Sequence, residues 1–265
     1  MQIINAPSLA NCSMIGMEPE LDELVRGGAD WFHVDIMDGH YVPNLCFPVR
    51  IVRELKEKYP EMMVDVHLLV TDPAGYFDLL KENGADYVSF HMDATNFSKR
   101  MLSNIRSLGM KAGIVINPSQ PVNMIEPVIQ YVDYVVLMTV EPGYAGQKFM
   151  PDSIPRLEEL TKLRSKHGNP FLISIDGGVD YPNAVNCAKL GAEIYVTGIY
   201  TVFNQPDGIV AACKRFKDTL YEAISQLFPI NFKQKALQCF CKALIFMFLS
   251  ERETRFELAT LSLGS

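Results

Sequence analysis

Two apolar stretches of the chain each carry a histidine and an aspartate at alternate positions. The stretch "WFHVDIM" contains His33 and Asp35, and the stretch "VDVHLL" contains Asp65 and His67. In a β-strand, residues i and i+2 project from the same face. Each stretch therefore places an imidazole beside a carboxylate on one side of a buried strand. Burying a charge is costly unless it is paired or bound to a metal, so the pattern indicates a site rather than ordinary core packing.

A further carboxylate, Asp176, ends a third apolar run, "FLISID". With His33, Asp35 and His67 it would supply two imidazoles and two carboxylates, a set that neutralises a divalent cation. Mixed nitrogen and oxygen ligation suits Zn, Fe, Mn or Co, and the spacing does not choose among them. A single buried histidine is explained as well by hydrogen bonds to its surroundings. Four residues of ligand type at the ends of strands favour a metal site.

The elements that would position these residues repeat along the chain. Short apolar runs, several of them preceded by glycine, alternate with amphipathic stretches that begin with an acid or proline and end with lysine, arginine or glycine, as helices do. The strands are expected near residues 2–8, 31–36, 63–68, 86–91, 111–117, 133–138, 171–176 and 193–198. Eight strand–helix units predict a parallel (β/α)₈ TIM barrel, with an open doubly wound sheet as the alternative. The polar residues fall at the carboxyl ends of the strands, where barrel enzymes place their sites.

Glycine-bearing loops follow the last three predicted strands. They read "EPGYAGQKF", "DGGV" and "TGIY", and they contain Gly143, Gly146, Gly177, Gly178 and Gly198. Glycine lets backbone N–H groups approach a phosphate closely, and the loops after strands 7 and 8 form the usual phosphate site of this barrel. The first strand is not followed by G-x-G-x-x-G, and no P-loop is present, so dinucleotide and ATP binding lack support.

Composition narrows the function classes. The chain has 265 residues, 48% of them hydrophobic, and a formal net charge of −7. Such a chain can bury a substantial core, and its acidity argues against nucleic acid as a partner. The six cysteines show no zinc or disulfide pattern, which indicates reduced thiols and a cytoplasmic location. We expect neither a signal peptide nor a membrane span.

Several motifs together resemble the ribulose-phosphate 3-epimerase family. They are "APSLA", "FHVDIMDGHYVPN", "DVHLLV", "LMTVEPGYAGQKF" and "IDGGV", and they occur in family order between residues 6 and 178. The resemblance continues weakly to about residue 225. It implies a (β/α)₈ barrel and a ketose phosphate substrate whose C3 is inverted through a metal-stabilised ene-diolate. It also agrees with the barrel predicted from the strand count.

The resemblance further implies roles for individual residues. Asp35 and Asp176 would be the two catalytic bases and would also bind the metal, and His33 and His67 would complete its ligands. The resemblance also implies substrate contacts for the serine, methionine, histidine and glycine-loop positions Ser8, Met37, His67, Met138, Gly143, Tyr144, Ala145, Gly146, Gly177, Gly178, Gly198 and Ile199. Met37 and Met138 are also explained as ordinary core residues. Asp65 is expected either to orient His67 or to have a purely structural role.

Three departures bear on the substrate. Ile199 stands where the family usually has serine, and the loop "GYAGQ" lacks two adjacent glycines. The segment "TGIYTVFNQPDGI" is similar to the allulose-6-phosphate 3-epimerase branch, whereas "DGGV" favours ribulose 5-phosphate. We therefore expect ribulose 5-phosphate as the substrate and keep allulose 6-phosphate as the alternative. A barrel that only binds a phosphorylated ligand would lack a metal ligand or an aspartate, and none is missing here.

Two domain-level predictions complete the sequence analysis. Residues 1–227 are expected to form the barrel, and residues 228–265 an atypical C-terminal extension that is poorly ordered and has no role in the chemistry. The alternative for this segment is a short helix at an oligomer contact. We expect a homo-oligomer.

Overall fold

The computed structural model describes residues 2–227. The predicted extension, residues 228–265, lies outside the described residues. By its internal contacts the chain divides into two compact units, residues 1–223 and 224–265. The first unit contains all the elements of the barrel except the end of its last helix. Of the second unit only residues 224–227, which end that helix, are described.

Eight parallel strands form the centre of the protein. Their bounds are β1 Ile4–Pro7, β2 Trp31–Met37, β3 Met63–Leu69, β4 Tyr87–His91, β5 Lys111–Ile116, β6 Tyr134–Met138, β7 Leu172–Asp176 and β8 Ile194–Thr197. All eight predicted strands are present. Most strand residues are buried, because the sheet is lined by side chains inside and covered by helices outside.

The strands are arranged as a nearly closed barrel. The order across the sheet is β1-β8-β7-β6-β5-β4-β3-β2, and every neighbouring pair is parallel. The two edges meet where Ser8, just after β1, makes a parallel bridge with His33 of β2. This arrangement confirms the predicted (β/α)₈ fold and excludes the open sheet.

Within residues 2–227, seven α-helices follow the strands on the outside of the barrel. They are α1 Met17–Arg26, α2 Arg50–Lys58, α3 Phe77–Glu82, α4 Ser98–Ser107, α5 Ser153–His167, α6 Tyr181–Lys189 and α7 Gly208–Leu227. Between β5 and β6 the connection is a 3-10 helix, Val122–Tyr131, with Pro127 inside it. Proline lacks an N–H group and disrupts α-helical hydrogen bonding, so one of the eight units has a 3-10 helix in place of an α-helix. No helix within residues 2–227 is long and apolar enough to cross a membrane.

The side chain of Tyr134 lies in the barrel interior, directly beneath the polar residues. Tyr134 of β6 is fully buried in a core cluster with Trp31, Val136 and Ile194. Its ring occupies the space opposite Gly113 of β5, where an added Cβ would lie 2.4 Å from the ring. The absence of a side chain at residue 113 therefore lets the tyrosine lie across the barrel and reach the layer above.

Candidate active site

Four ligand-type side chains converge at the carboxyl end of the barrel. Ligand atoms of His33, Asp35, His67 and Asp176 all lie within 4.8 Å of one another. The first three come from β2 and β3, whose register pairs Asp35 with His67 and His33 with Asp65. Because H-x-D on one strand faces D-x-H on the next, each imidazole has a carboxylate beside it. Asp176 comes from β7, with β8 and β1 between it and β2.

The spacing of the four ligand atoms matches the coordination shell of a small cation. His33 Nε2 lies 3.4 Å from Asp35 Oδ1 and 3.7 Å from Asp176 Oδ2. His67 Nδ1 lies 3.3 Å from Asp35 Oδ1 and 3.4 Å from Asp176 Oδ2. Ligands about 2.1 Å from a tetrahedral ion are about 3.4 Å apart. His33 Nε2 and His67 Nδ1 are buried and have no hydrogen-bond partner among the described residues, so the residues fit a divalent cation.

The His33 ring is fixed from the side opposite the cluster. Its Nδ1 lies 2.8 Å from Asp65 Oδ2, and the Tyr134 hydroxyl donates a 2.6 Å hydrogen bond to Asp65 Oδ1. All three side chains are fully buried. A carboxylate can only accept, so Nδ1 carries a proton and Nε2 is the ring nitrogen that faces the cluster. Histidines that bind metals commonly have such a carboxylate partner. Asp65 thus serves His33, although the sequence had suggested His67.

The His67 ring has a different partner. Its Nε2 lies 2.8 Å from Nε2 of His91, the last residue of β4, and both side chains are buried. The ring centroids are 4.9 Å apart, and the angle between the ring planes is 27°. Burial, reinforced by His67, lowers the pKa of His91 well below its usual value. One of the two imidazoles must donate and the other accept.

The ionisable groups of the cluster shift one another's pKa values. Burial opposes the charged form of His33, but the carboxylates of Asp35 and Asp65 outweigh it and raise its pKa well above the usual value. Burial likewise opposes ionisation of Asp35, but His33 and His67 together lower its pKa. The protein alone therefore favours ionised carboxylate beside imidazolium. A cation among the four ligand atoms would replace these imidazole protons as the partner of the carboxylates.

Ser8 has a partner within the site. Its hydroxyl donates a 2.8 Å hydrogen bond to Asp35 Oδ2, which leaves Asp35 Oδ1 as the oxygen nearest the two imidazoles. The serine was predicted to contact substrate. It lines the cleft, as that role requires, and it also fixes the orientation of the Asp35 carboxylate.

A single cleft joins the cluster to the glycine-bearing loops. The space between its walls, counted together with the part open to solvent, is about 660 Å³. Its walls include both aspartates and every predicted substrate-contact residue: Ser8, Met37, His67, Met138, Gly143, Tyr144, Ala145, Gly146, Gly177, Gly178, Gly198 and Ile199. His33 lies behind the wall. The roles of these residues remain predictions, but the structure brings all of them together.

The glycine loops pack so closely that side chains are excluded at two positions. At Gly177, with φ +116°, an added Cβ would lie 2.4 Å from Val140 Cγ2. At Gly178, with φ +60°, it would lie 2.3 Å from the backbone nitrogen of Phe149. The loop after β7 therefore rests directly on the loop after β6. Within residues 2–227, the backbone N–H groups of residues 177, 178, 198 and 199 have no protein acceptor.

Other contacts brace the rim of the cleft and were not anticipated from the sequence. Asn44 Nδ2 donates to the carbonyl of Gly143 at 2.8 Å, and the Tyr144 hydroxyl donates to the carbonyl of Pro43 at 2.7 Å. The Tyr200 hydroxyl donates to the carbonyl of Gly146 at 2.8 Å. These residues join the loops after β2, β6 and β8. The polar, turn-rich composition of the loops was the available signal, but it did not specify the pairs.

Comparison with known sequences supports one family. The sequence profile of the ribulose-phosphate 3 epimerase family matches residues 4–203. A ribulose-phosphate 3-epimerase from Treponema pallidum is 37% identical over 193 residues, which are 73% of this chain and 88% of that protein. The ribulose-phosphate 3-epimerase of Aquifex aeolicus is 36% identical over 220 residues, 83% of this chain and 98% of that protein. A cytoplasmic isoform from Oryza sativa is 35% identical and covers 79% of this chain and 92% of its own length.

Solved structures resemble the fold at low sequence identity. A 3-hexulose-6-phosphate synthase from Salmonella typhimurium has a TM-score of 0.61 at 18% identity, covering 84% of this chain and 100% of its own. KGPDC from Streptococcus mutans has a TM-score of 0.63 at 12% identity, covering 84% of this chain and 99% of its own. At these identities the likeness concerns the barrel alone.

The barrel, its site and these relatives define an isomerase that acts on carbohydrates. The chain belongs to the ribulose-phosphate 3-epimerase family. The family and the enzyme class predicted from the motifs are thereby confirmed.

Proposed function

We propose that this protein interconverts D-ribulose 5-phosphate and D-xylulose 5-phosphate by two-base proton transfer at C3 through an ene-diolate. One observation carries the proposal: Asp35 and Asp176, from strands separated by β8 and β1, converge on the same buried pair of imidazoles. Their side chains retain 12% and 13% of their accessible surface, whereas His33 retains none. The carboxylates thus border the cleft, and His33 lies behind them.

The two carboxylates supply the proton transfer. A substrate carbon held between them faces a carboxyl group on each side, so one aspartate, ionised at the start, removes the C3 proton, and the other, protonated at the start, delivers its proton to the opposite face. Reversal of the reaction exchanges the roles. Ser8 keeps one oxygen of Asp35 engaged, which fixes the direction in which this carboxylate approaches substrate. Met37 and Met138 line the cleft beside them and supply apolar walls without exchangeable protons.

His33, Asp35, His67 and Asp176 would together hold a divalent cation. When bound there, the cation supplies Lewis-acid stabilisation of the negative charge that develops on the substrate oxygens. The protein's own contribution is to fix both imidazoles with their lone pairs directed at one point. Zn, Fe, Mn and Co all accept this mixed ligand set.

The phosphate would bind at the opposite end of the cleft. The charged side chains lining it include Asp35, Glu141 and Asp176, and among residues 2–227 no lysine or arginine lines it. A phosphate must therefore be held by backbone dipoles. The unpaired N–H groups of Gly177, Gly178 and residues 198–199 provide them, with further amides in residues 143–146. Such a site needs close approach of backbone to ligand, which glycine permits.

The test measures the rates of epimerisation and of C3 proton exchange in D₂O for three proteins: wild type, Asp35→Asn and Asp176→Asn. Each variant should lose epimerisation by about 10²–10⁴-fold, the contribution of a general acid–base group. Each should retain deuterium exchange at C3 of one epimer only, and the two variants should prefer opposite epimers. Asp72→Asn, an exposed carboxylate in the loop after β3, serves as the control and should behave as wild type. Near-full epimerisation in either site variant would contradict the two-base proposal.

The substrate is decided by comparing kcat/KM on ribulose 5-phosphate and allulose 6-phosphate. We expect the pentulose phosphate to be preferred, in keeping with the names of the relatives. A clear preference for allulose 6-phosphate would instead establish the alternative suggested by Ile199 and the residues around it.

The name of the rice relative specifies a cytoplasmic isoform, and we propose the same location here. A homo-oligomer remains our prediction for the quaternary state.

A further inference from the structure

The metal-facing imidazole of His67 is held from behind by a residue that the proposed reaction does not use. His91 Nε2 lies 2.8 Å from His67 Nε2, and both rings are inaccessible to solvent. A distance of 2.8 Å between two nitrogens requires one proton between them. The position of that proton determines which tautomer His67 adopts.

Two arrangements satisfy this contact, and they differ at the site. If His67 donates from Nε2, its Nδ1 carries a lone pair, and this is the atom 3.3 Å from Asp35 and 3.4 Å from Asp176. If His91 donates instead, His67 must carry its proton on Nδ1, among the other ligand atoms, where it would exclude a cation. Binding therefore requires His91 to accept at Nε2 and to carry its own proton on Nδ1.

The surroundings of His91 favour that arrangement. The ring lies between the His67 ring and the Tyr41 ring, whose centroid is 4.6 Å away. Asn117 lies beside it, with its amide nitrogen occupied by the Tyr41 hydroxyl at 2.8 Å and by Asp93 at 3.2 Å. This orientation leaves Asn117 Oδ1, an acceptor, buried without a partner, and His91 Nδ1 is buried without a partner as well. An Nδ1–H group on His91 is the donor that complements this acceptor.

We propose that His91 is a positioning residue that holds His67 in its metal-binding tautomer by accepting the proton of His67 Nε2. The inference rests on the metal site of the proposed function and extends it to a residue that touches neither cation nor substrate. The two imidazoles of the site are then fixed by different means. A carboxylate, Asp65, orients His33, and a neutral imidazole oriented by Asn117 and Tyr41 orients His67.

The test compares His91→Gln with His91→Met. Glutamine and methionine have nearly the same shape, but the glutamine amide oxygen is a good acceptor for the His67 proton, whereas the methionine sulfur accepts only weakly. Metal-free wild type and both variants are titrated with Co²⁺ and with Zn²⁺ against a fluorescent chelator, and the visible absorption of the Co²⁺ forms is recorded. We expect His91→Gln to bind within about threefold of wild type and His91→Met to bind about 10–100-fold more weakly, the range typical for loss of an outer partner of a ligand. The Co²⁺ absorption of His91→Met should also change.

The outcomes separate this inference from the function on which it rests. If wild type binds no stoichiometric cation, the proposed metal site is wrong. If wild type binds and His91→Met binds equally well, the His91 inference alone is overturned. Should His91→Met fail to fold, ¹⁵N NMR of Zn²⁺-loaded wild type decides the matter, because it distinguishes the histidine tautomers. A proton on Nδ1 of His91 supports the inference, and a proton on Nε2 refutes it.

Discussion

Replacement of Tyr134 by phenylalanine tests how the site is supported from inside the barrel. The change removes the hydroxyl that donates a 2.6 Å hydrogen bond to Asp65 Oδ1 and leaves the ring in place. Asp65 remains fully buried beside His33. One of its oxygens then has no donor, and the carboxylate that orients His33 is less well fixed.

The expected magnitude follows from that contact. A hydrogen bond to a charged group contributes about 1.5–3 kcal/mol, because the buried acceptor otherwise remains unsatisfied. In a protein of this size each kcal/mol shifts Tm by roughly 2–4 °C, so Tyr134→Phe should lower Tm by roughly 3–12 °C. Loss of an outer partner of a metal ligand weakens metal binding by about 10–100-fold, and we expect a value near the lower end, since Asp65 itself is retained.

The assay pairs thermal melting with metal titration of the metal-free protein. Tyr195→Phe is the matched control, because Tyr195 is equally buried and its hydroxyl donates to the carbonyl of Ala192 at 3.0 Å, outside the site. A neutral hydrogen bond is worth about 1 kcal/mol, so this variant should melt slightly lower and bind metal as wild type does. If Tyr134→Phe also binds metal within twofold of wild type, the tyrosine only packs the core and the reasoning is refuted.

Three further outcomes are expected. Gly178→Ala should lower Tm far more than Gly168→Ala, although both glycines have φ near +60°. At residue 178 the new Cβ would lie 2.3 Å from the nitrogen of Phe149, whereas at residue 168 it would lie in open space. Equal Tm values for the two variants would contradict the close loop packing. Chelation should abolish epimerisation and lower Tm, since a ligand that binds only the folded state stabilises it; restored activity with added cation checks this, and full activity in metal-free protein would falsify it. Burial opposes ionisation of Asp38, but backbone hydrogen bonds from Thr71, Tyr41 and His40 outweigh it and lower its pKa. Its contribution to stability is therefore present above about pH 4 and is lost as pH falls further. Asp38→Asn should therefore show a shallower loss of Tm in acid, and unchanged pH dependence would argue against this role.

The four-residue cluster was predictable because it depends on short-range rules. Alternation within a strand places His33 beside Asp35, and parallel pairing brings the ends of neighbouring strands to the same level. The register that pairs Asp35 with His67 needed no knowledge of the loops. The strands were predictable for the same reason, since each is a short apolar run with a clear beginning and end.

The supporting contacts were not predictable, because each depends on packing across the barrel. Tyr134 reaches Asp65 over a separation of 69 residues, and it does so only because Gly113 leaves space for the ring. The sequence indicates a glycine but not which side chain will occupy its space. The contact between His67 and His91 likewise depends on ring orientations, and the serine that orients Asp35 acts across the closure of the barrel.

That closure lies within the site itself. β1 forms a regular ladder with β8 but meets β2 through a bridge between Ser8 and His33, reinforced by the hydroxyl of Ser8 on Asp35. His33 and Asp35 stand on one side of this seam, and Asp176 stands beyond β1 and β8 on the other. An ion bound by these three residues would hold the barrel together at the junction of β1 and β2, where a single bridge takes the place of a regular ladder. Transient opening of the junction between β1 and β2, measured by amide hydrogen exchange in these strands, would then report whether the ion is bound.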